Sequence, residues 1–101
     1  MTDEIFAALP ALYRRGTVSR PTTFYFSLDD VKKTVALAPD TCTVTDGKRE
    51  TSADCVCKTS EEFFLKIWND GYRPGMKDFL GGTIKSNAPQ LLQQFMTAFG
   101  K

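Results

Sequence analysis

The chain has 101 residues, a formal net charge of +1 and no histidine. That length predicts one domain with a single core, and 42% hydrophobic against 25% charged residues excludes wholesale disorder. Scattered basic residues exclude the electrostatic footprint of a nucleic-acid binder, and the missing histidine removes the commonest general base.

Residues 3–15 predict an amphipathic helix with Ile5, Phe6, Leu9, Leu12 and Tyr13 on one side. Pro10 removes a backbone donor there, so a kink or a late start is expected. Arg14-Arg15-Gly16 reads as the C-terminus, with cations on the negative dipole end and glycine beyond it. The near-apolar run from Ile5 to Tyr13 is too short to span a bilayer. Asp3 and Glu4 stand where a signal peptide would carry basic residues, so the expectation is a soluble, cytoplasmic protein.

An antiparallel meander is predicted next. Phe24, Phe26 and Leu28 alternate with Thr23, Tyr25 and Ser27, and Asp29-Asp30 begins a turn. Val35 and Leu37 face one way between Lys33 and Ala38, and Pro39-Asp40 turns the chain again. Cys42 and Val44 point inward between Thr41 and Thr45. Asp46-Gly47 signals a hairpin, lengthened by the polar run from Lys48 to Ser52. Ala53, Cys55 and Cys57 then alternate with Asp54, Val56 and Lys58 in a fourth strand, expected beside the strand of Cys42. Such alternation predicts a sheet with one buried and one wet face, an α+β arrangement with helices on one side. The three cysteines lack zinc spacing and a histidine to complete a site, so they read as reduced, buried small hydrophobes.

The stretch from Thr59 to Phe99 carries the widest apolar stripes. Thr59-Ser60-Glu61-Glu62 fits a capping box with Thr59 as N-cap, ahead of Phe63, Phe64, Ile67 and Trp68 on one helical face. Gly71 ends that helix. Met76, Phe79 and Leu80 make a shorter apolar face, and Gly81-Gly82 releases the chain into a strand over Thr83-Ile84-Lys85-Ser86. Asn87 is placed to cap a last helix with Pro89 in its first turn. Ala88, Leu91, Leu92, Phe95, Met96 and Phe99 recur there at i, i+3, i+4, i+7, i+8 and i+11, wider than one neighbouring strand pair can cover.

No G-x-S-x-G, P-loop or G-x-G-x-x-G motif is present, and Asp29-Asp30 and Glu61-Glu62 are explained by turn and helix-dipole chemistry. No enzyme, cofactor or metal is expected.

The order of these elements, together with Phe24-Tyr25-Phe26, Ala53-Asp54-Cys55, Thr59-Ser60-Glu61-Glu62-Phe63, Gly71, Pro74 as the opening of the next helix, and Gly82-Thr83-Ile84-Lys85, resembles the sterol carrier protein 2 (SCP2) family, in its stand-alone bacterial type. The resemblance covers nearly the whole chain and rests on apolar positions and glycines. It implies a curved, five-stranded, mostly antiparallel sheet backed by helices, with an apolar tunnel between them. Binding and transfer of fatty acids, fatty acyl-CoA, phospholipids or sterols would follow, with transient membrane contact. The implied ligand walls are Phe24, Phe26, Phe64, Ile67 and Trp68, then Met76, Phe79, Leu80 and Ile84, then Leu92, Phe95, Met96 and Phe99. Gln90, Gln93, Gln94 and Thr97 would face outward or toward the mouth, and Arg73, Lys77 and Lys85 are the candidates to meet an anionic head group. The alternative is an interaction module whose apolar groove receives a partner protein or presents lipid to an enzyme.

Overall fold

The computed structural model of the chain describes residues 2–47 and 53–100. Its elements are α1 (Thr2–Leu12), β1 (Thr22–Leu28), β2 (Val31–Leu37), β3 (Cys42–Asp46), β4 (Cys55–Thr59), α2 (Glu61–Asp70), α3 (Met76–Leu80), β5 (Ile84–Ser86) and α4 (Pro89–Ala98). The five strands form one sheet in the order β3-β2-β1-β4-β5. β1 pairs antiparallel with β2, and β2 with β3, as the alternation predicts.

The fourth strand departs from the expected meander. β4 runs parallel to β1, with Phe24 opposite Cys55 and Phe26 opposite Cys57, and pairs antiparallel with β5 on its other side. The hairpin signal at Asp46-Gly47 does not return the chain along β3. Gly47 N–H donates instead to Lys32 O at 2.8 Å, and the Thr34 hydroxyl donates to Gly47 O at 2.6 Å, so this corner stays tied to β2. The expected polar loop over Lys48 to Ser52 lies outside the described residues. Cys42 is therefore separated from β4 by two intervening strands, not its neighbour, and all three cysteines are free thiols.

One face of the sheet is built from Phe24, Phe26, Leu28, Val35, Leu37, Cys55, Cys57 and Ile84, all buried. Phe6 and Leu9 of α1, Phe64, Ile67 and Trp68 of α2, and Leu92, Phe95, Met96 and Ala98 of α4 cover it. α1 starts at Thr2 and runs through Pro10, so there is no late start. In β2 the sequence misses an inward position: Lys33 stands opposite Phe26 and is buried. Its ammonium is held by Asp46 and, at 2.7 Å, by Asp3 from the first turn of α1. Both carboxylate bonds favour its charged form and raise its pKa, while the Asp3 carboxyl is lowered by the same pairing.

Caps fall one residue from where the sequence places them. Thr59 is the last residue of β4, its hydroxyl donating to Thr83 O at 2.7 Å, and Ser60 is the N-cap that accepts from Phe63 N–H. Asn87 does not cap α4. Its side-chain oxygen accepts from Val56 N–H at 2.8 Å, so Ala88 becomes the N-cap, and Pro89 opens the helix. Gly71 ends α2 in the left-handed conformation, φ 73°, where its N–H reaches Lys66 O. Among the described residues no helix is long and apolar enough to cross a membrane.

Candidate functional site: an apolar cavity beside the last helix

Two rows of side chains on α4 meet different surroundings. Phe95 and Phe99, one turn apart, pack into solid core. The Phe95 ring centroid lies 4.9 Å from Phe26, 5.0 Å from Phe24 and 4.8 Å from Phe99. Trp68 completes this cluster at 6.3 Å from Phe95 and 6.0 Å from Phe99, and Tyr13 reaches Phe99 at 5.8 Å. The neighbouring row, Pro89, Leu92, Gln93, Met96 and Thr97, borders a cavity of about 220 Å³.

The cavity floor is the sheet, through Phe26, its register partner Cys57, and Ile84. Phe64 and Ile67 of α2 form one wall. Arg73, Pro74 and Phe79, from the segment that leads into and through α3, line the cavity as well. Arg73 is the one cation among these lining residues, and it is exposed. Cys57 is the other ionisable side chain, and burial pushes its thiol up to about 12, so it is neutral throughout the physiological range.

The structure thus brings together eight of the residues singled out from the sequence: Phe26, Phe64, Ile67, Arg73, Phe79, Ile84, Leu92 and Met96. Phe24, Trp68, Phe95 and Phe99 are not among the lining residues; they are the aromatic cluster behind it. α3 does not turn its whole apolar face inward, as the sequence suggests. It begins at Met76 rather than Pro74, only Phe79 packs against the core, and Met76 and Leu80 are 77% and 81% exposed. Lys77 is also exposed and outside the lining. Lys85 lies on the other face of the sheet, because Ile84 points inward and strand alternation sends its neighbour out, opposite Lys58. Gln93 and Thr97 are on the cavity edge, Gln90 faces outward, and Gln94 donates to Thr17 O at 3.1 Å.

Cys57, Pro74 and Pro89 are lining residues that sequence reasoning did not single out. For Cys57 a signal existed, since it alternates in phase with Cys55 on the buried face. The two prolines carried none, because their role depends on how α3 and α4 approach each other.

No family model and no curated protein matches the chain. Solved structures do. The stereoselective inverting sec-alkylsulfatase Pisa1 from Pseudomonas sp. matches with a TM-score of 0.83 at 17% identity, over 100% of this chain and 16% of that one. A double mutant of the same sulfatase matches with a TM-score of 0.78. UbiJ-SCP2, a ubiquinone synthesis protein, matches with a TM-score of 0.65 at 11% identity, over 97% of this chain and 90% of that one. The chain spans about one sixth of the sulfatase, whose activity belongs to that much longer protein. What these comparisons share with the chain is its architecture: a five-stranded mixed sheet with helices on one face, an SCP2-like fold.

Proposed function

We propose that the chain is a non-enzymatic lipid-binding module whose cavity takes the apolar part of a fatty acid, fatty acyl-CoA, phospholipid or sterol. The observation that carries this reading is the cavity lining. Nine of its thirteen residues are hydrophobic or proline on the faces of α2, α3, α4 and the sheet (Phe26, Phe64, Ile67, Pro74, Phe79, Ile84, Pro89, Leu92 and Met96), with one cation, Arg73, at the edge. A neutral thiol, an amide and a hydroxyl complete it, a set suited to holding an apolar chain and ill suited to proton transfer. The SCP2-like fold supports the same reading.

Magnitudes decide how the ligand fits. At about 220 Å³ the cavity is smaller than the roughly 300–1,000 Å³ that encloses a drug-sized ligand. If about half of a sixteen-carbon chain is enclosed, burial contributes roughly 6 kcal/mol at ~0.8 kcal/mol per CH2, near the lower end of the ~4–15 kcal/mol association cost. Micromolar affinity then needs either Arg73 on an anionic head group or a shift of Phe79 and Met96 that lengthens the cavity. Methionine repacks readily, and Phe79 is only partly buried, so both routes are open.

The test is direct. Lipid extracted from the purified protein is identified by mass spectrometry, and uptake of a fluorescent fatty acid is measured after delipidation. Saturable one-site uptake is expected; its absence, with no co-purified lipid, would sink the proposal.

One observation favours a second reading alongside it. The same architecture occurs inside the much longer sulfatase Pisa1, so such a module can serve within an enzyme assembly. In that case the groove would present lipid to an enzyme, and pull-down of a partner enzyme only in the presence of lipid would distinguish it from a free carrier.

A further inference from the structure

The two most exposed large apolar side chains among the described residues, Met76 at 77% and Leu80 at 81%, stand four positions apart on one face of α3. They do not line the cavity, yet the residues that do, Arg73, Pro74 and Phe79, belong to the same short segment. Gly75 and Gly81-Gly82 bracket the helix and add no side chains that would hold a surface away. Lys77 and Arg73 are exposed beside the pair. The one carboxylate on α3, Asp78, is engaged at the start of its own helix: Tyr72 donates its hydroxyl to it at 2.7 Å and Gly75 N–H donates at 2.9 Å. The exposed face of Met76 and Leu80 is therefore apolar, with Lys77 and Arg73 as exposed cations in the same segment and the Asp78 carboxylate already engaged by Tyr72 and Gly75.

We infer that α3 docks the protein on an anionic phospholipid bilayer, with Met76 and Leu80 entering the boundary between head groups and acyl chains while Lys77 and Arg73 meet lipid phosphates. Two side chains fall well short of the roughly 800 Å² per partner that a standard protein interface buries. A bilayer sets no such area requirement, since it accepts a small apolar wedge backed by cations. Docked in this way, the side of the cavity formed by Arg73, Pro74 and Phe79 lies against the membrane, where an acyl chain can pass without crossing water. The purpose of the surface rests on the lipid-binding reading, but its existence is tested separately.

The test is co-sedimentation of the purified chain with sucrose-loaded vesicles of phosphatidylcholine alone or mixed with phosphatidylserine. Pelleting with the mixed vesicles is expected, weakening as salt is raised. Met76→Ser with Leu80→Ser should lower partitioning roughly tenfold or more, and Lys77→Gln about fivefold on the mixed vesicles only. All three positions are exposed, so melting temperature should stay unchanged. No pelleting by the parent, or equal pelleting by the apolar double variant, overturns the inference. Concentration-dependent self-association that the double variant abolishes, without vesicle binding, also overturns it and assigns the patch to a second protein. Fatty-acid uptake from vesicle-free solution is measured on the same samples. Uptake without docking removes the membrane surface and leaves the cavity's function, whereas docking without uptake keeps the surface and removes that function.

Discussion

Phe95→Trp and Met96→Trp enlarge adjacent residues of α4, and the structure expects opposite consequences. Phe95 is 0% exposed, with three other rings within 5.0 Å of its centroid, so an indole there has no space to enter. Overpacking of this kind costs about 1–3 kcal/mol, a fall in melting temperature of roughly 4–20 °C for a domain of this size. Met96 is 8% exposed and borders the 220 Å³ cavity, so the added ring enters space that already exists. Its melting temperature should remain within about 3 °C of the parent. Uptake of a fluorescent fatty acid should fall by at least about tenfold, because displacing only two methylenes from the cavity removes roughly 1.6 kcal/mol. Both variants are measured by thermal unfolding after delipidation and by titration with the probe. If Met96→Trp melts as far below the parent as Phe95→Trp, the cavity is closed in solution. If it melts like the parent and binds equally well, the ligand lies elsewhere. Either result refutes the reasoning.

Three further outcomes are expected. Arg73→Gln should weaken binding of oleate about three- to tenfold and leave oleyl alcohol unchanged, since only the carboxylate gains from a guanidinium; equal effects on both would show that Arg73 acts by shape alone. Ser60→Ala removes the acceptor for Phe63 N–H and should cost about 1 kcal/mol, read as a shift of the urea midpoint without a change in slope. The Cys57 thiol is raised from 9.0 to about 12 by burial, so the folded state resists losing that proton. Its contribution is intact below pH 9 and is lost as pH rises from there toward 12, by up to about 4 kcal/mol; Cys57→Val should flatten that part of the pH–stability curve.

Local periodicity was legible wherever one face of an element meets the core. The alternation of Phe24, Phe26 and Leu28, the stripe of Phe64, Ile67 and Trp68, and the left-handed Gly71 all appear where the sequence places them. Periodicity gives a face but not a neighbour, which is why β4 was expected beside β3 when it pairs with β1. The caps moved because their polar side chains had two uses. Thr59 donates to Thr83 O and Asn87 accepts from Val56 N–H, both tying the β4–β5 edge, and Ser60 and Ala88 take the helix starts. Lys33 was hidden by its charge. It occupies the same face as Val35 and Leu37, and Asp3 and Asp46, distant in sequence, make a buried ammonium tolerable there. The width of the α4 stripe was readable, but its division between packed rings and open space was not.

That division follows from what each half of the helix finds opposite it. Phe95 and Phe99 face phenylalanines of β1 and Trp68 of α2, rings large enough to meet across the layer. Leu92 and Met96 face the side of the sheet where Cys57 is small, β5 has three residues and α3 has five. Those short elements cannot fill the gap, and α3 reaches the core through Phe79 while Asp78 ties it to Tyr72. On the lipid-binding proposal, an acyl chain would occupy this space, or lengthen it by moving Phe79 and Met96, and would leave the aromatic cluster where it is. Packed rings and open space therefore lie along different rows of one helix, and residues of the cavity row are expected to change in size at less cost than Phe95 or Phe99.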